Sequence, residues 1–206
     1  MTPDPSNAGD VPAPSPEGSI PKVHPWPRLS TERGPSFPLF AVRRDVRTNP
    51  RTGQARKVMV LETAHWVNVV ALTPGRELVL VRQFRFGSEQ GEIEIPGGVI
   101  DASEEPQAAA ERELREETGF TAARWSYLGA VQPNPAFHDN LCHHFLAEQA
   151  TQTHTQHLDP GEDIACFTLP LETVRALILK GLIRHSLVLT ALSRVLDLRV
   201  DPAPCR

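Results

Sequence analysis

Residues 97–120 read GGVIDASEEPQAAAERELREETGF, and the rest of the chain is arranged around them. Gly97 and Gly98 follow Ile95 and Pro96 and open a tight turn. An acidic, polar run then leads into strong helix formers from Ala108 to Glu117. Pro106 suits the first helical turn, where its missing N–H would have no partner anyway. Asp101, Ser103 and the neighbouring glutamates offer side-chain oxygens to the free N–H groups at that end. Gly119 suits the left-handed residue that stops a helix, with Phe120 packing back against it. The spacing therefore predicts turn, helix, stop. Residues three and four apart share a face, so Glu113, Glu116 and Glu117 gather on one side while Ala110 and Leu114 turn another side to a core.

Three carboxylates this close repel one another, and without a counter-charge one or more of their pKa values should rise. A hard divalent cation removes the conflict, because Mg²⁺ prefers oxygen ligands and keeps several of its waters. Arg112 stands four residues before Glu116 and can pair with it, steering one carboxylate. The glycine turn lets backbone approach a ligand closely, so a carbonyl there can join the metal shell. Taken alone, RELREE describes a solvated helix face. The wider spacing separates the two readings. The stretch fits G-x5-E-x7-R-E-U-x-E-E-x-G-U, where U is apolar. Gly98, Glu104, Arg112, Glu113, Leu114, Glu116, Glu117, Gly119 and Phe120 fill every fixed place.

That pattern is the Nudix box, and on these residues the chain resembles the Nudix hydrolases. The resemblance extends over roughly residues 26–198. It implies an α/β (α+β) fold, a mixed β-sheet sandwiched between helices, and Mg²⁺- or Mn²⁺-dependent cleavage of nucleoside diphosphates linked to another moiety. Within the box it implies Glu113 and Glu117 as direct metal ligands, with the Gly97 carbonyl beside them and Glu116 on a further metal. Gly98, Glu104 and Gly119 take structural places. Arg112 counts with Glu116 and Glu162 among the candidate catalytic residues, and with Glu104 it braces loop and helix by ion pairing.

Outside the box the likeness is to ADP-ribose and nucleotide-sugar pyrophosphatases. Arg82, Gln83, Phe84 and Arg85 resemble their Gln-aromatic-Arg segment, which makes Arg85 a candidate phosphate clamp. Glu94 resembles the glutamate that opens the approach to the box, as an accessory ligand or a sheet-face ion-pair partner. Pro135 falls where the ADP-ribose subgroup has its marker proline, although Ala136 replaces the glycine usual there. The acidic loop DPGED, residues 159–163, lies where such relatives bring a glutamate over the metals. Glu162 is the match as general base, with Asp159 and Asp163 as rivals. Relatives of this kind are dimers built through amino-terminal strands, so a homodimer is expected.

The 206 residues allow one ordinary domain and a tail. Lys+Arg 21 against Asp+Glu 25 gives a formal net charge of -4, and no basic stripe asks for nucleic acid as a partner. Three scattered cysteines make no disulfide framework and suit a reducing cytosol. No signal peptide is visible at the start, and no apolar run is long enough to span a bilayer. A cytoplasmic setting without a membrane partner is the expectation.

Residues 1–24, rich in Pro and Ser, read as a disordered tail. Residues 25–63 read as amino-terminal strands, a hairpin closed at NPRTG and serving dimerisation, and residues 64–200 as the catalytic domain. Within the latter, residues 66–73 (WVNVVALT) and 77–83 (ELVLVRQ) are apolar strands, and Glu92 and Glu94 should point together on a third. Further strands are expected at 125–132, 141–147 and 164–169, and helices at 171–180 and 185–198. Cys142, His143 and His144 alternate across a strand and cannot converge on one zinc ion. The leading reading is hydrolysis of ADP-ribose or a related nucleoside diphosphate sugar to a nucleoside monophosphate and a sugar phosphate. The alternatives are a Nudix hydrolase of dinucleoside polyphosphates or modified nucleoside triphosphates, and a nucleotide sensor without catalysis.

Overall fold

The computed structural model describes residues 20–199. Most of the expected tail, residues 1–19, lies outside them, as does Cys205. Two compact units can be distinguished. One runs up to Thr31 and includes Asp45–Val58; the other comprises Glu32–Arg44 and everything from Met59 on.

Three strands come first, β1 (Arg28–Ser36), β2 (Ala41–Thr48) and β3 (Ala55–Glu62), forming a sheet in that order. The expected hairpin is β2 with β3. Its turn is closed by the Asn49 N–H on the Gln54 carbonyl at 2.9 Å, with Gly53 at φ 71°. β1 was not anticipated, because RLSTERGPS is polar and almost wholly exposed. In the first unit Asp45 is buried, and Thr31, Arg28 and Arg47 reach its carboxylate at 2.9, 3.3 and 3.0 Å.

The second unit is built on a six-stranded sheet. Its members are β4 (Trp66–Leu72), β5 (Glu77–Arg85), β6 (Gln90–Glu94), β8 (Arg124–Val131), β9 (Cys142–Glu148) and β11 (Ile164–Pro170). The order is β11-β5-β4-β9-β8, with β6 added on β5. β4 and β9 run parallel from Trp66 opposite Cys142 to Leu72 opposite Glu148, and the other pairs are antiparallel. Two short strands missed by the sequence reading, β7 (Phe120–Thr121) and β10 (Thr151–Gln152), pair separately.

Helices cover both faces of this sheet. α1 (Pro106–Thr118) lies on one, and α2 (Leu171–Leu179) with α3 (Ser186–Leu192) on the other. Side-chain alternation divides β4 accordingly. Val67, Val69 and Ala71 pack with Ala109, Ala110 and Leu114 of α1, while Val70 and Leu72 pack with Val174, Val188 and Leu192. Coverage on both sides explains why β4 and β5 read as nearly unbroken apolar runs. α3 is shorter than the expected 185–198. After Leu192 the chain tightens, with Arg194 N–H on Ala191 O at 3.2 Å and Val195 N–H on Leu192 O at 3.0 Å, while the Arg194 side chain bonds the Leu128 carbonyl.

One departure from regular pairing positions the site. β5 meets β4 only near its start, at Leu78 opposite Leu72, and pairs with β6 at its end, from Val81 opposite Glu94 to Arg85 opposite Gln90. The segment after β6 then runs beside β4. Val69 N–H bonds the Pro96 carbonyl at 2.8 Å and Val67 N–H the Gly98 carbonyl at 2.9 Å.

Candidate active site

Gly97 and Gly98 are held between β4 and α1 with no room for a side chain. A Cβ on Gly97 would stand 2.2 Å from the Val67 carbonyl oxygen, and one on Gly98 would stand 2.4 Å from Oε1 of Glu113. Neighbouring carbonyls of extended chain point to opposite sides. Pro96 and Gly98 give theirs to β4, and the Gly97 N–H faces the helix. Its N–H donates to Oε2 of Glu117 at 3.0 Å.

α1 brings the box together as its spacing required. It starts at Pro106 after Glu105, but no side-chain oxygen caps its first turn, contrary to the expectation for Asp101 and Ser103. Glu104 instead folds back, its Oε2 accepting from the Asp101 N–H at 3.2 Å. The helix ends at Gly119, whose φ is 74° and whose N–H reaches the Arg115 carbonyl. A Cβ there would lie 2.1 Å from the His154 carbonyl oxygen, so both conformation and space require glycine.

Arg112 is the brace. Nε and Nη2 grip the Glu104 carboxylate at 3.0 and 2.8 Å, Nη2 also reaches the Val99 carbonyl at 3.0 Å, and Nη1 reaches Glu113 at 2.8 Å and Glu116 at 3.2 Å. One guanidinium thus ties the loop to two of the box glutamates. Its hydrogen bond with Arg112 holds Glu104 below the usual carboxylate range.

Glu113 and Glu117 shift as the sequence suggested, for a different leading reason. Burial, more than mutual repulsion, raises Glu113, with Arg112 opposing and Glu116 and Glu162 adding. Glu117 is 3% exposed, and burial pushes it up to about 8; the Gly97 N–H opposes, while Glu113 and Glu162 add to it. A buried acid with a raised pKa beside a second buried carboxylate favours a nearby positive charge. Among the described residues no three His, Cys, Asp or Glu side chains already form a metal cage. Mg²⁺ does not need one, since it binds through one or two carboxylates and completes its shell with water. Glu113, Glu117 and the Gly97 carbonyl fit that requirement.

Glu162 stands in the acidic loop, where its N–H takes the Asp159 carbonyl at 2.9 Å and its own Oε2 accepts from the Asp159 N–H at 3.0 Å. Its charge is felt by Glu113, Glu117 and Arg85. Arg85 forms a two-pronged pair with buried Glu94, Nε to Oε1 at 2.7 Å and Nη2 to Oε2 at 2.8 Å. Arg85 and Glu94 line a cleft of about 650 Å³ together with Trp66, Asn68, Gly97 and Gly98. Glu113 and Glu117 contact the two glycines from the helix side. Pro135 is not brought there. It is exposed in a turn closed by the His138 N–H on the Asn134 carbonyl at 2.8 Å.

The cleft has a wall that the sequence reading missed. Arg184, from the link between α2 and α3, reaches buried Glu92 with Nη2 at 2.9 Å and Nε at 3.3 Å, and His185 lies beside it on the cleft. Glu92 and Glu94, expected to point together, each hold one arginine of this cleft. The only hint was the spacing of the two glutamates.

The chain is similar to known proteins in sequence and in fold. The NUDIX domain family profile matches residues 63–190. The chain is 35% identical over 127 residues to the ADP-ribose pyrophosphatase of Bacillus subtilis (strain 168), covering 61% of this chain and 69% of that protein. It is 35% identical over 118 residues to the GDP-mannose pyrophosphatase of Citrobacter koseri, covering 52% of this chain and 60% of that one. A crystal structure of an ADP compounds hydrolase shares the fold, with a TM-score of 0.74 over 85% of this chain and 95% of that one, at 23% identity. With more than half its length matched and every fixed position of the box filled around one arginine brace, the chain belongs to the Nudix family.

Proposed function

We propose that this chain hydrolyses the diphosphate bond of ADP-ribose or a related nucleoside diphosphate sugar, giving a nucleoside monophosphate and a sugar phosphate. The observation that carries the reading is one juxtaposition: Glu117, buried and raised, on the Gly97 N–H, with Glu113 against Gly98 and Arg85 close enough for its charge to be felt. The names of the relatives support the substrate class.

Nudix hydrolases generally use a divalent metal. In this chain Glu113, Glu117 and the Gly97 carbonyl would hold Mg²⁺ or Mn²⁺, with Glu116 available to a second ion once it leaves Arg112. Bound there, the metal would neutralise the diphosphate and acidify a water. Arg85, already oriented by Glu94, offers its free edge to a phosphate oxygen. Glu162 is the general base, carried on a loop that can admit substrate and then cover it.

The decisive assay incubates the chain with Mg²⁺ or Mn²⁺ and ADP-ribose, GDP-mannose, ADP-glucose or diadenosine polyphosphates, and identifies the products. AMP and ribose 5-phosphate from ADP-ribose, or the equivalent pair from another nucleotide sugar, is the expected result. Turnover of the polyphosphates alone, or binding with no turnover, overturns it.

We also infer a homodimer formed through residues 25–63. Leu39 and Met59, both of the second unit, are 75% and 55% exposed, which suits a contact surface. Light scattering should give about twice the 22.7 kDa chain mass, and a monomer at micromolar concentration would refute the dimer. The unpaired thiols of Cys142 and Cys166 fit a reducing, cytosolic setting. Among the described residues no helix is long and apolar enough to cross a membrane.

A further inference from the structure

The cleft is chemically two-sided. At one end Trp66 and Val99 line it, and the same two residues continue into a second groove with Phe37 and Phe40. That end is aromatic and apolar. At the other end stand Arg184 and His185, while Asn68 lies against Gly97. None of these three lies in the box or in the segment leading to it.

Arg184 is half exposed, and its partner Glu92 is buried. Nε and Nη2 are occupied by Glu92, and Nη2 also by Gln90, while Nη1 has no partner among the described residues. The guanidinium is thus oriented before any ligand arrives and keeps one edge free. Arg85 is held in the same way by Glu94 on the same strand. Nδ1 of His185, next to Arg184, and Nδ2 of Asn68, against Gly97, are buried and bonded to nothing among the described residues. Buried polar atoms without partners are costly, so two of them on residues that line one cleft indicate groups meant to be satisfied by a ligand or its waters. The wall is firmly mounted, because Ile183 and Leu187 on either side of Arg184 and His185 are both buried in the core.

We propose that Arg184, with His185, forms the subsite for the sugar phosphate half of the substrate, and that the Trp66 end takes the nucleoside half. A sugar phosphate offers what this wall lacks, an anionic group for a fixed guanidinium and hydroxyls that both donate and accept. A base suits the aromatic end, where it can stack. The assignment rests on the nucleotide-sugar reading above and adds the orientation of the substrate in the cleft.

Calorimetric titration of the two product classes tests it without requiring turnover. Wild-type protein is titrated with AMP and, separately, with ribose 5-phosphate and mannose 1-phosphate. Arg184→Met should weaken the sugar phosphate that binds by about tenfold or more and leave AMP within about twofold. Arg184→Lys, which restores charge without the fork, should recover part of the loss. In steady state Arg184→Met should raise KM about tenfold with kcat within about threefold, as expected for a group that binds ground and transition states alike. Equal loss of AMP and sugar phosphate, unchanged sugar phosphate affinity in Arg184→Met, or no sugar phosphate binding to wild type each overturns the proposal. Those outcomes are independent of the hydrolysis assay, which judges the reaction by its products.

Discussion

At the residue scale the site turns on Glu117, which is asked to be buried and to be charged. Burial holds its pKa up to about 8, well above the ordinary carboxyl value. A carboxyl raised in this way keeps its favourable neutral form at low pH, so its contribution to stability is full below the unfolded pKa and is lost as pH rises through the folded one. The melting temperature of metal-free protein should therefore fall between about pH 4.5 and pH 8, and Glu117→Gln should flatten that part of the profile. Divalent metal should reverse the trend, stabilising more at pH 8 than at pH 6 because it binds the ionised form. A metal-free melting profile unaffected by Glu117→Gln would remove the premise. The role proposed for Glu162 is separable from this. As general base its replacement by Gln should lower kcat by about 10²- to 10⁴-fold while leaving metal-dependent stabilisation intact. Near-normal turnover in Glu162→Gln would transfer the role to Asp163, Asp159 or a glutamate of the box. The carboxylates were legible in the sequence because one helix carries them at fixed spacing. Arg184 was not, because its partner Glu92 is 92 positions away and only the folded sheet brings them together.

At the scale of the element, the two adjacent glycines make different demands although they look alike in sequence. Gly97 faces backbone: a Cβ would meet the Val67 carbonyl at 2.2 Å, and neither strand nor turn can yield. Gly98 faces the far end of a side chain, the Glu113 carboxyl. Gly97→Ala should therefore cost stability, by about 3 kcal/mol or more, at the level of severe overpacking. Gly98→Ala should leave melting within a few degrees but displace Glu113 and cut metal-supported turnover. Thermal melting beside a Mg²⁺ titration separates the two, and equal loss of stability in both variants would contradict this account. The helix, its stop at Gly119 and the glycine corner were readable because each rests on local rules of period, cap and conformational freedom. β1 was unreadable because its polar residues have no alternation to follow. The length of α3 was misjudged because the apolar spacing continues to Leu198, whereas the backbone hydrogen bonds tighten after Leu192.

At the scale of the whole molecule, the sandwich assigns unequal duties to its two cores. The alternation along β4 and β5 sends one set of side chains to α1 and the other to α2 and α3, so both cores are built on the same strands. Only α1 carries the box. Leu114 is fully buried under it and sits in sequence between Arg112, Glu113 and Glu116, Glu117. Leu192 is equally buried on the opposite face, at the far end of α3. Truncating either to Ala should cost about 2–5 kcal/mol, since both lose the same side chain from a closed core. Their effects on chemistry should differ. Leu114→Ala loosens the helix that positions Glu113 and Glu117, and the Gly97 N–H bond is its only described tie to the turn through Glu117. Its kcat at 25 °C, well below melting, should fall at least tenfold, whereas Leu192→Ala should stay within about twofold under the same conditions. Urea unfolding supplies the stability match and initial rates the comparison. If the two variants lose stability equally and also lose kcat equally, the site depends on the sandwich as a whole, and the separation of a catalytic face from a supporting face is wrong.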